Sequence, residues 1–168
     1  MRMAVTGTPG TGKTSSTDRV SADLGVVHLN DLIRSESLTT GWDESRDSLV
    51  ADIEAVADRL AGREDVVIES HLAHRIAVDR VAVLRCHPDS LTERLTERGE
   101  PPGTVEENAE SEALDVILVE AVERHGPDRV YEVDTTDRTV ADVATELDAI
   151  AAGEREPGVG TVSFLDYV

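Results

Sequence analysis

The stretch Gly7-Thr8-Pro9-Gly10-Thr11-Gly12-Lys13-Thr14 leaves the rest of the chain little freedom. Two glycines bracketing four residues, followed by Lys-Thr, form a loop that binds phosphate through its backbone. The glycines let successive N–H groups turn inward into an anion nest. A helix starting at Lys13 adds its positive end to the same spot. Such a loop works only between a buried strand and a helix. The flanking sequence supplies both, Met3-Ala4-Val5-Thr6 before it and a helix-like run over about 13–24 after it. Lys13 is expected to reach the β- and γ-phosphates of a nucleoside triphosphate, and the Thr14 hydroxyl to ligate Mg²⁺.

Composition points to the same lysine. Lys13 is the only lysine among 16 Lys and Arg residues. A compact ammonium fits between phosphates, whereas the planar guanidinium fork of arginine does not. Lysine survives here only where the loop needs it.

The order of elements reads as alternating strands and helices. Residues 2–6 form a first strand, and Val26-Val27-His28-Leu29 a second. Asn30 can cap a short helix through Glu36, with Arg34 on its exposed side. Thr39-Thr40-Gly41-Trp42 reads as a turn. Asp43 then opens a helix on which Leu49, Ile53, Val56 and Leu60 recur at helical spacing, ended by Gly62. Strands follow at 65–71 and 79–86, the latter closing on Cys86, which reads as a buried small residue. Pro88 starts a helix carrying Leu91, Arg94, Leu95 and Arg98. After a Gly/Pro break, Thr104 and Glu107 form a capping box for a long helix with Leu114, Ile117, Leu118, Ala121 and Val122 inward. A fifth strand spans 129–133, and Thr139 caps a last helix. Buried strands alternating with helices define an α/β protein with a parallel sheet covered on both faces. Residues 1–152 form one domain, and 153–168 a tail that docks on its surface.

Three constellations beyond the loop bear on chemistry. Glu69 and His71 close the 65–71 strand at its C-terminal end, where open α/β sheets bind ligands. Glu69 can hold Mg²⁺ through water and His71 can orient a hydroxyl; a polar strand end without chemistry is the alternative. Arg94 and Arg98 precede the Gly/Pro break, either as arginines that close over a phosphoryl group or as a solvated pair among glutamates. Arg34 follows the second strand, where a phosphate acceptor can sit opposite the loop.

Taken together these residues resemble the small adenylate kinases that include the coilin-interacting nuclear ATPase and its archaeal counterparts. The resemblance rests on Gly7–Thr14, on Asn30-Asp31-Leu32 with Arg34, and on Gly41-Trp42-Asp43-Glu44. It continues through Glu69-Ser70-His71, Glu93-Arg94-Leu95 to Arg98-Gly99, and Glu107-Asn108. It implies a five-stranded parallel sheet with a nucleoside-monophosphate (NMP) segment around 29–52 and a short lid around 97–107. It further implies ATP on Gly10, Gly12, Lys13, Thr14 and Ser15, with Arg98 from the lid and Arg138 near the adenine. Lys13, Arg98 and His71 would be the catalytic set, Arg34 the NMP ligand, and Thr14 with Glu69 (through water) the Mg²⁺ site. Two activities follow from the resemblance, phosphorylation of AMP or another NMP and ATP hydrolysis. So does a role in late maturation of the small ribosomal subunit through a platform ribosomal protein. Three positions differ from the commoner pattern: Glu69 stands for Asp, Arg138 for Lys, and Glu-Pro-Pro-Gly follows Arg98-Gly99 where relatives carry Tyr.

The preferred reading is an Mg²⁺-dependent ATP:NMP phosphotransferase, with an ATP-driven assembly factor as its rival and a small-metabolite kinase as a third option. The single cysteine fits a reducing interior. The chain shows no signal peptide and no apolar run of membrane-spanning length, which points to a cytoplasmic protein.

The charge constrains partners. Against 16 basic residues stand 35 acidic ones, a formal net charge of −19, with aromatics at 2%. So acidic a surface argues against direct binding to nucleic-acid backbones or anionic membranes. It fits a molar-salt cytoplasm: at about 1 M salt the Debye length is roughly 3 Å, so self-repulsion is largely screened. Salt that strengthens apolar burial also supports a core lean in aromatics. Folding should therefore require roughly molar KCl. Circular dichroism across a salt titration checks this, and an equally stable cooperative fold in about 0.1 M salt would remove the halophilic account of the charge.

Overall fold

The computed structural model describes residues 1–21 and 23–167. Five strands form one parallel sheet: β1 (Arg2–Thr6), β2 (Gly25–His28), β5 (Val66–Glu69), β6 (Arg80–Arg85) and β7 (Val130–Asp134). Their order is β2-β5-β1-β6-β7. β1 is central, and the chain visits one side of it before crossing to the other. The C-terminal end of β1 is therefore the switch point where open parallel sheets bind ligands, and the glycine loop lies there.

Alternation along the strands places the core. Met3, Val5, Val67, Ala82, Leu84 and Val133 point to one face and meet Val143, Leu147 and Ile150 of α7 (Val140–Ala152). Ala4, Ile68, Val81 and Val83 point to the other. There they meet α2 (Leu29–Glu36), α3 (Ile53–Arg59) and α6 (Val116–His125) through Leu29, Ile33, Val56, Leu118 and Ala121. Both faces are dry, as a parallel sheet requires. A third small cluster of Cys86, Leu91, Leu95 and Val105 joins α4 (Pro88–Glu97) to α5 (Pro102–Ala113).

Several elements differ from the sequence reading, each for a local reason. The helix after the glycine loop, α1, covers only Lys13–Thr17. Beyond it Arg19 and Val20 donate to Ser16 and Thr17, a tighter turn suited to a run of Ser, Thr and Asp that competes for backbone groups. The expected turn at 39–42 and helix from Asp43 are instead a hairpin, β3 (Thr39–Asp43) and β4 (Ser48–Ala51). Asp43 does cap, but it caps the hairpin turn: its carboxylate accepts from Ser45 N at 2.9 Å and Ser45 Oγ at 2.6 Å. The helix is capped nine residues later, where Asp52 accepts from Ala55 N at 3.0 Å. Asn30 lies inside α2 rather than capping it.

No capping box forms at Thr104, because the helix already starts at Pro102. The long helix is two helices: Asp115 adopts φ 56° and separates α5 from α6, leaving Leu114 exposed. Residues after α7 run back along the sheet edge. Gly158 accepts from Glu132 N and donates to Val130 O, and Phe164 is buried. Among the described residues no helix is long and apolar enough to cross a membrane.

The break at Asp115 sits at a buried ion cluster. Arg85, 1% exposed at the end of β6, donates to Glu112 at 2.7 Å, to Glu132 at 2.6 Å and to Asp115. Glu112 also accepts from Thr8 Oγ1 of the glycine loop at 2.5 Å and from Cys86 N at 3.2 Å. Phe164 lies 5.3 Å from the guanidinium carbon, and Thr161 donates to Glu132 at 2.8 Å. One guanidinium thus fastens two strands, the α5–α6 joint, the loop and the C-terminal segment. Arg85→Ala leaves two buried carboxylates without their cation and should cost about 3–5 kcal/mol of stability, the range for breaking buried pairs. Urea denaturation in molar KCl measures it; a loss below about 1 kcal/mol would reduce the cluster to a surface-like pair.

Candidate functional site

The glycine loop is shaped by its contacts. Gly7, Gly10 and Gly12 all have positive φ, at 142°, 93° and 89°. A methyl at Gly7 would lie 2.4 Å from the Leu84 carbonyl oxygen, and one at Gly10 would lie 2.8 Å from Leu91. The Thr8 carbonyl accepts from Thr11 Oγ1 at 2.8 Å and from Lys13 Nζ at 3.0 Å, curling the loop around itself. Thr135 Oγ1, at the end of β7, donates to Thr11 O at 3.1 Å. Arg94 donates to Gly10 O at 3.4 Å and to the Thr135 and Thr136 carbonyls at 3.1 Å. Arg94 is thereby spent on bracing the loop from outside.

Three clefts adjoin around this loop. The middle one, about 260 Å³, is lined by Gly10, Gly12, Lys13, Thr14 and Ser15 with Asn30, Glu69, His71 and Arg98. A second, about 300 Å³, shares Gly10, Gly12, Ser15 and Arg98 with it and extends to Thr135, Arg138 and Val140. A third, about 430 Å³, shares Asn30 and His71 with the middle one and extends to Arg34, Trp42, Asp47 and Leu49. The phosphate loop therefore stands between two further recesses, one toward α7 and one toward the hairpin.

Lys13 is nearly buried, and burial lowers its pKa from 10.5 to about 8, with Glu69 and Glu112 pulling back upward. Burial first, then Lys13, lowers His71 to about 4, so its imidazole is neutral at neutral pH. Glu69 is buried and shares a hydrogen bond with His28 Nδ1 at 2.9 Å, while His28 Nε2 lies 3.0 Å from Asp18. The Glu69 hydrogen bond raises the His28 pKa. Ser70 Oγ donates to Asn30 Oδ1 at 2.9 Å, joining the β5 end to α2. Burial pushes the Cys86 thiol up to about 11, leaving it an inert core group.

The expected site residues thus fall into three groups. Gly10, Gly12, Lys13, Thr14, Ser15, Glu69, His71 and Arg98 line one cleft. Arg138 lies in the recess toward α7, where it is held by Glu146 and by the Asp134 and Asp142 carbonyls. Arg34 lies in the recess toward the hairpin, exposed. His28, Glu112 and Thr135 were missed. The parallel register pairs His28 with Glu69, so aligning the two strand ends would have found the first.

A nucleoside triphosphate with Mg²⁺ fits these residues. The loop supplies a glycine-built concavity where α1 starts without a side-chain cap. Lys13 is a desolvated ammonium beside it, and an anion would restore the charge that burial disfavours. Thr14 and Glu69 are hard oxygen donors, and Mg²⁺ is commonly held by one or two such groups plus phosphates and water.

Strand order, the glycine loop at the switch point and helices on both faces define a P-loop kinase-type α/β fold of the NMP-kinase kind. Solved structures share it: shikimate kinase from Acinetobacter baumannii in complex with shikimate superposes with TM-score 0.63 at 12% identity, over 92% of this chain and 94% of that one. A gluconokinase from Sinorhizobium meliloti superposes with TM-score 0.57 at 20% identity, over 91% and 92%. Residues 3–115 match the family described as an AAA domain. Full-length relatives named "Putative adenylate kinase" are 58% identical in Natronomonas pharaonis, over 168 residues and all of both chains, and 56% identical in Halobacterium salinarum, over 169 and all of both. The chain belongs to this family of small archaeal P-loop proteins.

The lowered pKa of Lys13 makes a measurable link between nucleotide and proton. Below pH 8 the lysine is charged whether folded or not. As pH rises from about 8 toward 10.5 the folded protein sheds the proton first. A bound polyphosphate holds that proton on, so binding in this window takes up a proton and weakens as pH rises, by at most about tenfold per pH unit. Calorimetry in two buffers of different ionisation enthalpy measures the uptake; none at pH 9 would mean that Lys13 does not face the phosphates.

Proposed function

We propose that this chain is an Mg²⁺-dependent phosphotransferase that moves the γ-phosphoryl group of ATP to AMP or another NMP, with ATP hydrolysis as a side activity. The observation that carries the reading is the pair of recesses meeting the phosphate loop from opposite sides. A hydrolase needs room for water beside its triphosphate; a recess of about 430 Å³ with an arginine in it is suited to a second nucleotide. The archaeal relatives carry an adenylate kinase name, which agrees.

In this reading the donor triphosphate lies on Gly10, Gly12, Lys13, Thr14 and Ser15, with its base toward Arg138 and Val140. Thr14 directly and Glu69 through water would hold Mg²⁺, which would neutralise phosphate charge. His28 and Asp18 keep the Glu69 carboxylate aimed at the cleft. Arg98, exposed and common to both donor-side clefts, closes over the phosphates with the lid at about 97–107. His71 is neutral, so it orients by hydrogen bonding and adds no charge. The segment at about 29–52 carries the acceptor, and Arg34 grips its phosphate. Catalysis is by positioning and charge neutralisation, the usual means for phosphoryl transfer.

Two phosphates brought into line repel one another unless cations sit between them. Arg34 serves the acceptor and nothing else in this arrangement, so its loss separates the two activities. Arg34→Ala should raise the NMP KM and cost about 2–4 kcal/mol in NMP phosphorylation, judged against charged hydrogen bonds. ATP hydrolysis without NMP should change little. A coupled assay of ATP with each NMP, beside ATP alone, checks both. Equal loss of both activities would move Arg34 to the donor side. ATP hydrolysis by the wild type with no NMP phosphorylation would favour an ATP-driven assembly factor, a role suited to a basic ribosomal-protein partner for this acidic surface.

A further inference from the structure

One wall of the hairpin-side recess has no part in gripping phosphate. Trp42 and Leu49 are cross-strand partners of β3 and β4, so their side chains share a face, while Gly41 and Val50 share the other. Trp42 and Leu49 both line the recess that holds Arg34. They are 54% and 52% exposed, and neither joins an apolar cluster among the described residues. Trp42 is also the only tryptophan in a chain with 2% aromatic residues. A large indole held in the open beside a cleft is an unmet apolar surface.

Salt sharpens the point. In molar salt an exposed arginine such as Arg34 is heavily screened, so its hold on a phosphate is weakened. Apolar contact is strengthened under the same conditions. An acceptor seated in this recess therefore needs a flat apolar contact beside the cation, and the hairpin presents one. We infer that the Trp42 indole, backed by Leu49, is the platform on which the acceptor base stacks, and that it favours purine over pyrimidine monophosphates. The inference rests on the proposed function in taking the acceptor to be a nucleotide. Every base has a π-face, and the larger purine face covers more of the indole. Adenine and guanine acceptors should thus be held alike, and an acceptor without a base should gain nothing.

The unique indole is its own reporter. The full-length protein in molar KCl is titrated with AMP, GMP, CMP, UMP and ribose 5-phosphate, following indole fluorescence and calorimetric heat, with KM values measured alongside. The nucleotides should change the indole emission and ribose 5-phosphate should not. Trp42→Ala should raise Kd and KM for AMP and GMP by about tenfold or more, the scale of one base–aromatic stack. It should raise them less for CMP and UMP, shrinking the purine preference, and leave the inhibition constant of ribose 5-phosphate unchanged. Trp42→Phe should recover most of the loss. AMP bound and phosphorylated equally well by wild type and Trp42→Ala would overturn the platform and leave the kinase reading standing. Equal weakening of every acceptor, ribose 5-phosphate included, would make Trp42 a support of the hairpin and overturn the platform too. Failure of the wild type to bind or phosphorylate any NMP would overturn the proposed function and the platform with it.

Discussion

The phosphate loop of this protein rests on a buried carboxylate, Glu112, that one guanidinium holds in place. Arg85 is buried at the end of β6 and satisfied by Glu112, Glu132 and Asp115. Glu112 passes the constraint to Thr8, and Glu132 passes it to the segment after α7. A buried cation surrounded by carboxylates has few alternative arrangements, because each partner lost would leave a charge in a medium that cannot solvate it. The loop therefore shares this anchor with the joint between α5 and α6, alongside the braces that Arg94 and Thr135 give it. Those helices follow the segment that carries Arg98, so in the proposed reading the donor side and the base of the lid share one anchor.

The surface follows a different physics. Exposed acids dominate and lysine is absent from it, while the interior pairs are protected from ions by burial. At the molar salt expected for so acidic a surface, screening would reduce the cost of the first and hardly touch the second. Contacts that matter under those conditions are pushed inward or made apolar. Lys13, the loop carbonyls and the buried Glu69 carboxylate with its His28 partner are the inward case. The hairpin face is the apolar one.

The sheet was readable from the chain because its signals are local. The glycine loop, the apolar strands and the β-α alternation each occupy a few neighbouring residues. The hairpin was not, because Leu49, Ile53, Val56 and Leu60 mimic a helical stripe although Leu49 lies on β4 and Ile53 opens α3. Asp43 is a strong cap in sequence, and the sequence does not say whether it caps a helix or a turn. The site shows the same division. Loop residues and the ends of β5 were legible by position, whereas the Arg85 cluster joins residues 47 apart and Thr8 to Glu112 spans 104. Nothing near any of those residues announces its partner. The break at Asp115 sits in that cluster, and its partner Arg85 lies 30 residues away.

The scarcity of lysine reaches beyond salt. Lys13 carries the chain's one ε-amine, and it lies nearly buried beneath the phosphate cradle with its basicity reduced to a pKa of about 8. Acetyl, methyl and isopeptide-linked tags that elsewhere decorate surface lysines have no side-chain amine to attach to on the outside of this molecule. An acylating reagent that reaches a lysine here has entered the nucleotide site. Apart from the α-amine of Met1, which is tied to Glu64 and Asp65, amine chemistry on this protein is a titration of the cradle itself, and a bound polyphosphate shields it.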